Sequence, residues 1–122
     1  MTINFAAELE NVTEHWTPRV IAQVNDQYIK VAKLLGEFVW HDHADEDEMF
    51  LVVYGRLIIQ IEGADDVILN AGEMFVVPKG VRHNPVAVEE CGIVLVETVT
   101  TKHTGDVVAE GTIPIEQQVR GS

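Results

Sequence analysis

The sequence predicts an all-β domain of the barrel or sandwich kind, and three features carry that reading. Short apolar runs rich in Val, Ile, Leu and aromatic side chains recur from residue 16 to residue 100. Turn-forming residues punctuate them at Asn25-Asp26, Gly36, Gly55, Gly63 and Ala71-Gly72. A helical spacing of apolar residues is confined to the first stretch of the chain.

In chain order, residues 3 to 14 place Ile3, Phe5, Ala6 and Leu9 where one short amphipathic helix or turn would use them. Strands are expected at WTPRVIAQV (16–24), YIKVAKLL (28–35), EMFLVVY (48–54), LIIQIE (57–62), DVILN (66–70), EMFVVP (73–78) and GIVLVETVT (92–100). Strands this short and regular favour a closed barrel or sandwich. The tail from Asp106 to Ser122 holds one candidate strand, around Thr112 to Ile115, that is available to pair with another subunit.

A chain of 122 residues with 47% hydrophobic and 23% charged residues has the proportions of one globular domain, with the barrel itself spanning about 27–101. The formal charge of −12, with eight scattered Lys and Arg, argues against nucleic acid or an anionic membrane as a partner. No run reaches the roughly 18 apolar residues of a membrane span, and the N-terminus lacks the basic segment of a secretory signal, so a cytoplasmic location is expected. Cys91, the one cysteine, lies beside Ile93, Val94 and Leu95 and reads as a buried, inert thiol.

Chemistry concentrates in the segment WHDHADEDEMF. Successive strand side chains point to opposite faces, so His41 and His43 project from one face and can converge on a single ion, while Asp42 points away. The pair alone is a weak signal, since two histidines at this spacing occur by chance and more often sit on a solvated face. Glu48 opens the next apolar strand in phase with Phe50 and Val52. An inward carboxylate there is costly unless a cation compensates it. Asp45, Glu46 and Asp47 read as a solvated loop. His83, in VVPKGVRHNP, follows a Pro78–Gly80 turn that aims the chain back along the same wall. Three imidazole nitrogens and one carboxylate oxygen suit a divalent transition metal such as Mn, Fe, Ni or Zn better than Mg or Ca.

From Gly36 to Gly55 the sequence GEFVWHDHADEDEMFLVVYG resembles the first signature of the cupin superfamily, with His41, His43, Glu48 and Gly55 at the family's spacing. Four residues separate Gly36 from His41 where five are usual. From Gly72, GEMFVVPKGVRHNPVA is similar to the second signature through Gly72, Pro78, Gly80 and His83, with Ala87 standing where the family has asparagine. The resemblance implies a cupin-type double-stranded β-helix, a six-stranded jelly-roll barrel, with a metal on those four residues and commonly a homodimer. PKGVRHNPVAVEE and HTGD are also similar to segments of small cupins that resemble mannose-6-phosphate isomerase.

One barrel serves many reactions. The favoured expectation is a metal-dependent enzyme, of isomerase or dioxygenase type, acting on a small polar molecule such as a sugar or a keto or hydroxy acid. The alternative is a ligand-binding or sensor module with a metal-ligated pocket and no turnover. Val39 and Phe50 share strand faces with the ligands and are candidate pocket residues; Phe38 and Trp40 have the opposite parity and are expected outside the barrel or in an interface. His103, in TTKHTGD, is a candidate proton shuttle, and His15 is assigned to structure or solvent.

Overall fold

The computed structural model describes residues 2–101. His103, the candidate strand at 112–115 and the rest of the tail lie outside the described residues. The elements in order are α1 (Phe5–Glu10), β1 (Arg19–Val24), β2 (Gln27–Glu37), β3 (Glu48–Tyr54), β4 (Arg56–Ile61), β5 (Val67–Asn70), β6 (Met74–Val77) and β7 (His83–Thr98).

All of the strand pairings are antiparallel, and β7 organises them. One edge of β7 pairs with β2 from Gln27↔Thr98 to Glu37↔Val86. Its other edge is divided: the first part pairs with β4 (His83↔Ile61 to Val86↔Ile58) and the second with β3 (Gly92↔Tyr54 to Glu97↔Glu48). β6 extends the sheet beyond β3, β5 extends it beyond β4, and β1 lies outside β2. The single seven-stranded sheet therefore branches at β7, and its two arms curl over one interior to form a β-barrel.

The handover on β7 requires two glycines. Gly55, between β3 and β4, has φ +83, and a Cβ there would lie 2.7 Å from the Glu90 carbonyl oxygen. Gly92 lets the Tyr54 ring lie against the β7 backbone, where a Cβ would overlap the ring.

Alternation in β3 buries Glu48, Phe50 and Val52 and leaves Met49, Leu51 and Val53 half-buried. The inner cluster gathers Ala32, Leu34, Phe50, Val52, Leu57, Ile59, Ile93 and Leu95. A second cluster sits on the outer face, where Leu9 and Val12 pack on Ile21, Val31 and Val94. α1 covers that face, its start capped by the Asn4 side chain, which accepts a hydrogen bond from the Ala7 amide at 3.0 Å.

The sequence reading starts the last strand at residue 92, whereas β7 begins at His83. Asn84-Pro85 reads as a breaker, yet Pro85 is accommodated because it presents only its carbonyl, accepting from the Phe38 amide at 3.1 Å. Cys91 is buried and burial pushes its thiol up to about 11, so it is inert. Among the described residues, no helix is long and apolar enough to cross a membrane.

Candidate metal centre

His41 and His43 lie on the connection between β2 and β3 and not within a regular strand. An isolated antiparallel bridge joins His41 to His83: the His41 amide donates to the His83 carbonyl at 2.9 Å and the His83 amide to the His41 carbonyl at 2.8 Å. The next turn is pinned to the same loop. The Gly80 amide donates to the His43 carbonyl at 2.8 Å, and the Lys79 amide to Asp47 Oδ1 at 2.9 Å. Glu48, at the first position of β3, completes the group.

His41, His43, Glu48 and His83 are all buried, and one ligand atom from each lies within 4.8 Å of the others. Glu48 Oε1 stands 3.5 Å from both His43 Nε2 and His83 Nε2. That separation is longer than a good hydrogen bond. Two further contacts orient the rings, since His41 Nδ1 lies 2.8 Å from the Val39 carbonyl and His83 Nδ1 lies 2.9 Å from the Val81 carbonyl. A carbonyl only accepts, so each Nδ1 carries a proton and each Nε2 is the atom turned toward the group. Burial, and then His83, lower His41 to about 4, so its ring is neutral at neutral pH.

Two buried residues absent from the sequence reading lie behind Glu48. Glu97 is its cross-strand partner, and Lys30 Nζ lies 2.6 Å from Glu97 Oε1, with the two side chains 0% and 2% exposed. Burial, then the Glu48 charge, push Glu97 well above the usual carboxylate range, with Lys30 opposing. Burial also pushes Glu48 up, but contacts from Glu97, His43 and His83 outweigh it and hold Glu48 well below that range. Of the two facing carboxyls, Glu48 therefore ionises more readily than Glu97. The signal was present in the sequence, because Lys30 shares parity with Ala32 and Leu34, and Glu97 with Ile93 and Leu95.

A cavity of about 30 Å³ adjoins the group. Its polar end is formed by His41, Glu48 and Glu97, and the remaining wall is apolar, including Leu34, Phe38, Phe50, Ile93 and Leu95. Phe50 thus lies on the cavity. Val39 is not among its lining residues and contributes its carbonyl to His41. Phe38 departs from its expected outward place: the chain has left β2 by that residue, so strand parity no longer applies, and its ring stacks on Trp16 at 4.7 Å on the cavity wall. Trp16 holds a left-handed φ of 60, secured by its amide to the Lys33 carbonyl and its indole Nε1 to the Leu35 carbonyl at 2.8 Å. Trp40 lies elsewhere, beneath the Arg82 guanidinium at 5.6 Å, and the exposed His15 pairs with Glu90 at 2.8 Å.

The buried Glu48 Oε1 and His83 Nε2 have no hydrogen-bond partner among the described residues. Such atoms are costly unless satisfied, and three imidazoles with one ionised carboxylate are the donor set of a divalent transition metal. The group is thus able to hold one ion.

Comparison with known proteins agrees with this fold. The family model for the cupin domain, Cupin_2, matches residues 31–99, and the chain belongs to that family. A cupin-2 domain protein of Shewanella frigidimarina is 50% identical, with TM-score 0.76 over 79% of this chain and 93% of that one. The Bacillus subtilis protein YdbB is 35% identical over 66% of this chain and 71% of its own length. The acireductone dioxygenase of Bacillus licheniformis is 32% identical over 93% of this chain, which spans 63% of that enzyme.

Proposed function

We propose that this cupin is a metal-dependent enzyme of dioxygenase type, acting on a small molecule that presents an oxygen to the metal and an apolar or unsaturated face to the barrel. The observation that carries the reading is the convergence of His41, His43, Glu48 and His83 at the polar end of an otherwise apolar cavity. The similarity to acireductone dioxygenase supports it, over the part of that enzyme that this chain spans.

Those four residues would hold the ion, which would supply Lewis acidity toward a substrate oxygen and, if redox-active, a site for dioxygen chemistry. The chain supplies the rest. His41 and His83, each held through Nδ1 by a backbone carbonyl, present Nε2 to the group without rearrangement. Apolar side chains exclude bulk water and strengthen each electrostatic contact at the polar end.

The room available supports a compact substrate. About 30 Å³ accommodates two or three water-sized groups. That fits dioxygen or the reacting end of a compact molecule. A sugar ring would need donors and acceptors along the wall, and apolar side chains occupy those positions, so an isomerase acting on a sugar, which the resemblance to mannose-6-phosphate isomerase-like cupins would imply, is the weaker reading.

The test is oxygen consumption by the purified chain loaded separately with Fe, Mn, Ni and Zn, against enediols, hydroquinone and catechol. Uptake above the free-metal control with Fe or Ni, abolished in Glu48→Gln, is the expected result. Ligand-induced changes without oxygen uptake for any metal would replace this reading with the binding or sensor module.

A further inference from the structure

The interior contains more charge than a four-ligand site requires. Glu97 sits directly opposite Glu48 on the neighbouring strand, and two facing carboxyls destabilise a sheet unless something compensates them. Lys30 stands behind Glu97 at 2.6 Å, on the face of β2 that also carries Ala32 and Leu34. A buried ion pair is a poor source of stability, since well-packed apolar residues in its place are often neutral or better. Apolar neighbours surround this pair, with Leu95 in register with Lys30 and Ile93 two pleats from Glu97. Barrel closure therefore gives no reason for Lys30 and Glu97, whereas contact with Glu48 does.

We propose that Lys30 and Glu97 are positioning residues for the metal centre: Lys30 fixes the Glu97 carboxyl, and Glu97 fixes the Glu48 carboxylate toward the imidazoles, so that the pair sets metal affinity. The row runs from Lys30 through Glu97 to Glu48 across three adjacent strands, β2, β7 and β3, and its members are 0%, 2% and 5% exposed. Without Glu97, Glu48 rotates more freely and meets the ion less often in the required orientation. Glu97 also forms part of the cavity wall beside His41 and Glu48. This inference rests on the metal reading above.

The test uses cobalt(II) as the probe and the full chain in four forms: wild type, Lys30→Met/Glu97→Leu, Glu97→Gln, and Glu90→Gln as a surface control. The double variant removes the Lys30–Glu97 contact as a unit and leaves neither member buried without the other. Its metal-free form is expected to melt at or above the wild-type temperature, while its cobalt(II) dissociation constant rises about 10- to 100-fold and its visible absorption bands shift. Glu97→Gln is expected to weaken cobalt(II) about tenfold, and it decides the matter if the double variant does not fold. Unchanged affinity and unchanged bands in a folded double variant, or in Glu97→Gln, would overturn the inference. Absence of cobalt(II) uptake by the wild type would instead overturn the metal reading, and this inference with it.

Discussion

His41 and His83 exchange backbone hydrogen bonds, amide to carbonyl in both directions at 2.9 and 2.8 Å, and their rings lie 4.3 Å apart. Two residues 42 positions apart are thus set by main-chain geometry before any metal arrives (83 − 41). Each ring is then turned by a carbonyl two residues earlier, Val39 for His41 and Val81 for His83. The site is largely preorganised, which lowers the ordering cost of binding an ion.

Burial of His41 has a pH consequence. Its folded value is lowered to about 4 from 6.5, so the unfolded chain takes up the proton first as pH falls. The stability this group contributes is complete above pH 6.5 and declines as pH falls from there toward 4, by about 3 kcal/mol in total. Urea midpoints of the metal-free chain across that window, in wild type and His41→Gln, measure it. The variant is expected to show the shallower decline, and parallel slopes would remove His41 as the cause.

The glycine at the β7 handover is predicted to be far less replaceable than the one that opens the metal loop. Gly36 and Gly55 both have positive φ, +84 and +83, so alanine strains both alike. Only Gly55 has backbone within 2.7 Å of the new Cβ. Gly55→Ala is expected to destabilise by about 1–3 kcal/mol more than Gly36→Ala, read by denaturant unfolding. Equal losses would mean that the close approach to Glu90 relaxes freely.

Phe38 closes the cavity wall against Trp16, with its edge 5.5 Å from the His41 ring. Phe38→Ala is expected to cost about 1 kcal/mol through the lost stacking, to shift the tryptophan emission, and to leave metal stoichiometry unchanged. In an active preparation the same variant should raise KM more than it lowers kcat. Loss of metal in Phe38→Ala would place the ring in the ion's own support.

The barrel and the candidate four-residue group were legible in the sequence because both depend on local spacing. Apolar runs between turn residues marked the strands, and His41, His43, Glu48 and His83 stood at intervals shared with the cupin signatures. Long-range register was not legible. Nothing in IVLVETVT states that Glu97 lies opposite Glu48, or that Lys30 comes within 2.6 Å of it, because those contacts follow from which strands become neighbours. Phe38 was misplaced by strand parity carried past the end of β2, at Glu37, into a loop that obeys no two-residue period. Trp16 was equally hidden, since its orientation depends on a left-handed backbone that bulky residues rarely adopt.

The most direct test of the central claim is metal content after loading and desalting, measured per chain by elemental analysis, for wild type and His43→Ala side by side. The account predicts one divalent transition-metal ion per wild-type chain and a strong loss in His43→Ala with the fold retained by circular dichroism. Undiminished stoichiometric metal in His43→Ala, or none in the wild type, would contradict it.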